Sequence, residues 1–202
     1  TNENDTADEI AKNLFNDERL GNLQLQTNLK VRSYDTNKLE NFFVNDFNWE
    51  SRNASFNSGV STKILGNLKN INYEAKNTDV YKEDTTNELF GALGLLSELN
   101  LQKKQGNSEH FLTPKILLRV SPGSMRKLRS GSKLDSINAY NLNRINDVNN
   151  YETGLSSTLG FDYKIKKPNN DFDFSVAQVI NEKENKKMAD ITSMNEKLSD
   201  LV

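Results

Sequence analysis

Few of the 202 residues carry side chains whose types and spacing suggest chemistry. His110 is the single histidine, and it follows Ser108 and Glu109 directly. A hydroxyl, an imidazole and a carboxylate can form a hydrolytic relay when a fold aligns them. At this position the preferred reading is a turn histidine at the start of a strand. One imidazole with no thiol falls short of a metal site. Asp171 and Asp173 stand two residues apart on one strand face. Acid–base work needs carboxylates placed across a substrate, so this pair reads as charge facing water. The stretch MRKLRSGSK, Met125 to Lys133, is the one basic cluster. It suits anionic phosphates, but lacks the interleaved aromatics that stack nucleic-acid bases, and a solvated loop is its default. Asn181 to Lys187 is mixed in sign and reads the same way. No phosphate-binding glycine loop, nucleophile elbow or dinucleotide fingerprint occurs. The expectation is a chain that is not an enzyme and uses no cofactor.

The elements around these residues read as strands. GNLQLQTNLKVRSY, Gly21 to Tyr34, sets Leu23, Leu25, Leu29 and Val31 on one side of an extended chain. Asn22, Gln24, Gln26, Asn28, Lys30 and Arg32 fall on the other, as successive strand side chains do. After a turn at Asp35 to Lys38, Phe43, Phe47 and Trp49 share one side. Asp46, Asn48 and Glu50 share the opposite side with Phe42 and Val44. The next segment predicts two shorter strands meeting near Gly66 and Asn67, with Ile71, Tyr73 and Ala75 on one side of the second. Leu89, Leu93, Leu95, Leu99 and Leu101 then align, and so do Leu112, Ile116, Leu118 and Val120. After a long polar segment near 121–150, Leu155, Leu159, Phe161, Tyr163 and Ile165 oppose Gly154, Ser156, Thr158, Gly160, Asp162 and Lys164. Phe172, Phe174, Val176 and Ile180 follow in the last alternating run.

This amounts to about seven to eight strands in an antiparallel meander, because tight turns cannot join parallel strands. One helix is expected, within residues 1–18. Thr6 and Glu9 have capping-box spacing, and Ile10, Leu14 and Phe15 share a helical face. The remainder, residues 19–202, reads as one all-β domain.

Composition leaves open what the apolar faces meet. The chain is 35% apolar and 27% charged, with no cysteine, a formal net charge of -2 and a mean hydropathy of -0.75. That balance points to neither nucleic acid nor an anionic surface. No apolar run reaches the roughly 18 residues of a membrane helix, but a barrel strand needs only about 9–11 alternating residues. The start, TNENDTADEI, carries no export signal, so an exported protein is expected to be represented here by an internal piece. The polar faces mix charge with Gly, Ser, Thr, Asn and Gln, which suits a wetted interior. Aromatics at Phe42, Phe43, Trp49, Tyr73, Tyr163 and Phe172 collect towards strand ends, as an interfacial girdle requires. The apolar faces are nearly free of Lys and Arg, Lys69 at a strand end being the exception. A soluble sheet with one buried face is the alternative. The two differ in one expectation: in a barrel, Leu155, Leu159, Phe161 and Ile165 point outward.

The second half adds a resemblance. HFLTPKILLRVSPGSMR, LNRINDVNNYETGLSSTLGFDYKI, DFDFSVAQVINEKENKKM and SMNEKLSDLV resemble, in that order, the barrel of LptD. Proteins of that family assemble lipopolysaccharide at the outer membrane of Gram-negative bacteria. The resemblance spans residues 20–202 and rests on Asn143–Arg144, then Tyr151, Glu152 and Gly154, then the strand with Ser175 and Gln178. It implies a fragment of a large transmembrane β-barrel that transports lipopolysaccharide. By the same resemblance its partners are the lipopolysaccharide, outer-membrane lipid, an LptE-like plug lipoprotein and a periplasmic Lpt protein bridge. Lys115, Arg119, Asp162, Lys164, Asp171 and Asp173 would line a hydrophilic path for sugars and phosphates. The chain lacks the family's periplasmic domain, and it ends at Val202 rather than at an aromatic residue. Pro114 is accordingly read as a bulge or an interrupted pairing rather than as part of a seam. The alternatives are a soluble all-β binding module and a small outer-membrane enzyme using His110.

Overall fold

A computed structural model describes residues 3–34, 37–79, 81–128 and 131–202, with side chains described from residue 12 onward. Asp35 and Thr36 of the expected turn, and Arg129 and Ser130 of the basic cluster, lie outside the described residues.

Ten strands are described: β1 (Glu3–Asp17), β2 (Gly21–Tyr34), β3 (Leu39–Glu50), β4 (Ala54–Ser55), β5 (Val60–Lys76), β6 (Asp84–Leu99), β7 (Leu101–Gln105), β8 (Ser108–Ser121), β9 (Gly154–Lys166) and β10 (Asp171–Asn181). They form one antiparallel sheet in the order β1-β2-β3-β5-β6-β8-β9-β10, with β4 on β5 and β7 on β8. The sheet is not closed among the described residues. Among the described residues β1 has no partner on its outer side, whereas the far edge of β10 is capped by residues 197–202. There Ala177 and Val202 exchange N–H···O bonds, and Ser199 N–H donates to Val179 O at 2.9 Å. A terminal segment laid this way satisfies an edge that would otherwise template pairing with another chain.

Two expectations about elements are corrected. The predicted helix within 1–18 is a strand, paired with β2 from Glu3↔Tyr34 to Asp17↔Gly21. A capping box is a local signal of about 1 kcal/mol. It is outweighed by a hairpin that pairs the segment along its length, turned tightly where Asp17 Oδ1 accepts the N–H groups of Arg19 and Leu20. The two strands expected around Gly66 are one 17-residue strand, β5, which β3 and β6 flank without a break at Gly66. Gly66 serves the neighbouring ring instead: a Cβ there would stand 3.1 Å from Trp49 Cε3.

Pro114 sits where pairing lapses. β6 and β7 both run antiparallel to β8 in a single register, interrupted opposite Pro114 between Leu99 and Leu101. No residue is inserted, so this is a lost pairing and not a bulge. Proline has no N–H to offer a ladder, which accounts for the gap.

The faces follow the alternation. Leu155, Leu159, Leu93, Leu95, Ile116, Leu118, Leu29 and Phe43 are exposed on one face. Phe42, Val44, Ile71, Tyr73, Ala75, Phe90, Ala92 and Leu117 are buried on the other. The buried face is concave. Asn22 to Asn28 of β2 and Ser175 of β10 line one cavity, although six strand steps separate them. On a flat sheet those strands would stand about 29 Å apart.

This assignment moves Ile71, Tyr73, Ala75 and Lys69 from the face expected for them to the covered concave face. It also removes Phe42 and Tyr73 from the outer girdle, since both rings are buried and pack on Tyr81. The polar segment expected near 121–150 is the connection 122–153, laid across the concave face. Its Met125, Leu128, Leu134, Ala139 and Ile145 join Met188 and Met194 of the terminal segment in a core over Ala177 and Val179. Tyr151 stacks on Phe90 at 6.0 Å between ring centroids.

Candidate functional site

The connection 122–153 is tied down by a buried charged centre. Arg119 rises from the concave side of β8, Arg144 comes from the connection, and Glu152 lies two residues before β9. They are 1%, 1% and 3% exposed. Arg144 Nε donates to Glu152 Oε2 at 2.9 Å, and Arg144 Nη2 is paired with Glu152 Oε1. Arg144 reaches on to Ser156 Oγ at 3.0 Å and Thr158 Oγ1 at 3.4 Å on β9. Arg119 Nη1 lies 3.7 Å from Glu152 Oε1, while its Nε donates to Leu142 O at 2.6 Å. Asn143 Oδ1 accepts the Glu152 N–H at 3.1 Å, and Gly154 O lies 3.4 Å from Arg119 Nη1. Burial alone would raise the Glu152 carboxyl, but the guanidiniums of Arg119 and Arg144 outweigh it and hold it at about 2. A buried ion pair so fully hydrogen-bonded specifies one arrangement of the loop.

Two further ties fasten the same connection to other strands. Lys69 of β5 donates to Asp147 O at 2.8 Å and Asn150 O at 3.3 Å. Arg126 pairs with Glu88 of β6, its guanidinium 5.4 Å from the ring centres of Tyr73 and Tyr81. Small residues on the wall make room for what the loop carries. A Cβ on Gly94 would lie 2.7 Å from Leu142 Cδ2, and one on Gly160 would strike Tyr140 Oη and Val176 O. Gly94→Ile is therefore expected to push Leu142 out and raise amide hydrogen exchange across 136–148, with the strands still protected. Unchanged exchange in the loop would show that Gly94 does not seat it.

Beside the ties lies a cavity of about 710 Å³ between the loop and the wall. Asn22, Gln24, Gln26 and Asn28 of β2 line one side, and Asp46, Asn67, Lys69, Glu98, Lys115 and Asp162 line others. Lys115 pairs with Asp162, and its Nζ is 4.0 Å from Glu98 Oε1. Tyr140 stands in a short 3-10 turn, Asn138–Tyr140. Burial, then the carboxylates of Asp162 and Glu98, push its phenol up to about 12, so it keeps its proton at neutral pH.

The residues expected to line a path divide into three sets. Lys115 and Asp162 border the cavity. Lys164 lies 3.1 Å from Asp173 and 3.9 Å from Asp171, on the exposed far part of the same face. Arg119 is sealed beneath the loop. Of the positions that carried the resemblance, Asn143, Arg144 and Gly154 meet at the charged centre. Gln178 is elsewhere, donating to Ser199 O at 3.0 Å, and Pro114 stands at the pairing gap. His110 meets Tyr163, with Nδ1 and Oη 2.8 Å apart.

In the sequence Glu152 stands out only through the resemblance, and no motif marks Lys69, Asn67, Ser156 or Thr158 as site residues. One signal was present: Gly154, Ser156, Thr158 and Gly160 form a row of small residues on one strand face, leaving room for a segment to lie against it. No family model and no curated protein matches this sequence.

Proposed function

We propose that this chain is part of an outer-membrane β-barrel of a Gram-negative bacterium, one that carries lipopolysaccharide to the outer leaflet as its resemblance to LptD implies. The observation that carries the reading is the outward apolar face. Leu155 and Leu159 are 50% and 44% exposed, Phe161 and Ile165 share their face, and no second layer covers it among the described residues. Residues 155 to 165 of β9 match the roughly 9–11 residues of a tilted barrel strand. Trp49, Tyr163, Phe172 and Phe174 stand on that face towards the ends with shorter turns, as an interfacial girdle would. The longest connection, 122–153, lies at the other end, as the extended loops of outer-membrane barrels lie at one end. A contiguous apolar surface of this breadth is a liability in water and an asset in lipid.

The polar residues of the concave face that line the cavity then border the aqueous route for the sugar portion. The plug lipoprotein and the periplasmic bridge enter as partners by the resemblance alone. The test is depletion, in a Gram-negative cell, of the protein that carries this chain. Surface-labelled lipopolysaccharide is expected to fall several-fold while the chain fractionates with outer membranes. Undiminished surface lipopolysaccharide would reject export, and recovery of the chain from detergent-free aqueous extract would favour the soluble module.

A further inference from the structure

The cavity under the 122–153 loop has a donor and acceptor balance that selects its ligand. Asn67 is 8% exposed, and its Nδ2 is committed to three acceptors, Asp46 Oδ1, Asn48 Oδ1 and Phe47 O. Those three acceptors fix the amide's orientation, so its Oδ1 is the free end. That oxygen is buried and meets no donor among the described residues, and the same holds for Asn22 Oδ1 on β2. Tyr140 Oη is buried and unpartnered too. All three side chains line the cavity. A buried polar group left without a partner costs about 1–3 kcal/mol, so the two amide oxygens call for a donor and the phenol for a partner of either kind.

The charges sharpen that demand. Five carboxylates (Asp46, Glu50, Glu98, Asp147, Asp162) and three ammoniums (Lys63, Lys69, Lys115) border the cavity. Every one of those lysines already faces a carboxylate: Lys63 lies 2.7 Å from Glu50, Lys69 lies 3.9 Å from Asp46, and Lys115 pairs with Asp162. A phosphate dianion would bring acceptors to acceptors and meet surplus negative charge. A sugar hydroxyl both donates and accepts, so it can donate to Asn67 and Asn22 Oδ1 while accepting a hydrogen bond from Tyr140 Oη.

We propose that this cavity binds an uncharged, hydroxyl-rich glycan segment and discriminates against phosphorylated sugars. The assignment rests on the export reading for the source of the glycan, and on the cavity alone for its chemistry. It sends the phosphate-bearing part of the substrate past some other surface.

The test is calorimetry on the full chain in a zwitterionic detergent that has no sugar headgroup. The probes are isomaltoheptaose, glucose 6-phosphate and inorganic phosphate. Isomaltoheptaose is expected to bind in the millimolar range, at least tenfold more tightly than either phosphate probe. Asn67→Leu is expected to weaken it about tenfold. Asn22→Leu, on a different strand, keeps the comparison usable if Asn67→Leu does not fold. Equal or tighter binding of a phosphate probe, no heat from isomaltoheptaose at 100 mM, or affinity unmoved by Asn22→Leu and every folded Asn67 variant would overturn the proposal. Quenching of Trp49 by brominated lipid reads the barrel separately. Quenching with phosphate preference removes the site and leaves the barrel; glycan binding without quenching does the reverse.

Discussion

Glu152→Ala is expected to destabilise the folded chain by about 3–5 kcal/mol, the usual loss when one partner of a buried ion pair is removed. The cost comes from what stays behind. Arg119 and Arg144 are both about 1% exposed, and without the carboxylate two guanidiniums share a dry site with no counter-charge. Glu152→Gln, which keeps the shape and some of the hydrogen bonds, is expected to cost less than Ala but still more than 1 kcal/mol. The centre also sets an acid limit. The carboxyl ionises near 4.5 when free and is held at about 2 in the fold. Its contribution is therefore fully present above about pH 4.5 and is lost as the pH falls towards 2. Urea unfolding of the reconstituted chain between pH 2 and 7 measures both effects. In Glu152→Ala the acid-dependent loss over that window should shrink. A mutant within 1 kcal/mol of the parent, with an unchanged acid profile, would mean that the charged centre does not hold the loop.

Leu159→Arg separates the membrane reading from the aqueous one by the size of a single number. Leu159 is 44% exposed and sits between Ile116 of β8 and Gln178 of β10, in the middle of the outward face. In water, a substitution at such an exposed position falls within about 0.5 kcal/mol of neutral. Near the midplane of a bilayer an arginine costs about 2–4 kcal/mol, because its charge must be hydrated or neutralised inside hydrocarbon. Leu201→Arg, at an exposed site of the terminal segment, supplies the control and should be silent in either setting. Folding into phospholipid vesicles, followed by urea titration, measures the difference. If Leu159→Arg and Leu201→Arg behave alike there, the outward leucines do not meet lipid, and the export proposal loses its foundation.

Much of the sheet is written locally. Period-two alternation placed β2, β3, β6, β8, β9 and β10, and it sorted their faces correctly, because a strand's side chains point alternately whatever the rest of the chain does. That is why Leu155 and Leu159 could be opposed to Ser156, Thr158 and Asp162 without coordinates. The pairing gap at Pro114 was legible for the same kind of reason, since a missing N–H belongs to the residue itself.

Other features depend on partners far along the chain. Thr6 and Glu9 offer a local cap, yet β2 is what decides that residues 3–17 are extended. Ile71, Tyr73 and Ala75 alternate just as lipid-facing residues would, and only the loop resting on the concave face makes them interior. Burial of Met125, Leu128, Leu134 and Ile145 follows no period, so the connection read as merely polar. Arg119, Arg144 and Glu152 are scattered over 34 positions of a charged sequence, and nothing in their spacing distinguishes them from solvated neighbours. Alternation by itself determined strands and their two faces. Only the tertiary structure decided which face is covered, and by what, because covering a face is a contact between segments that no local preference encodes.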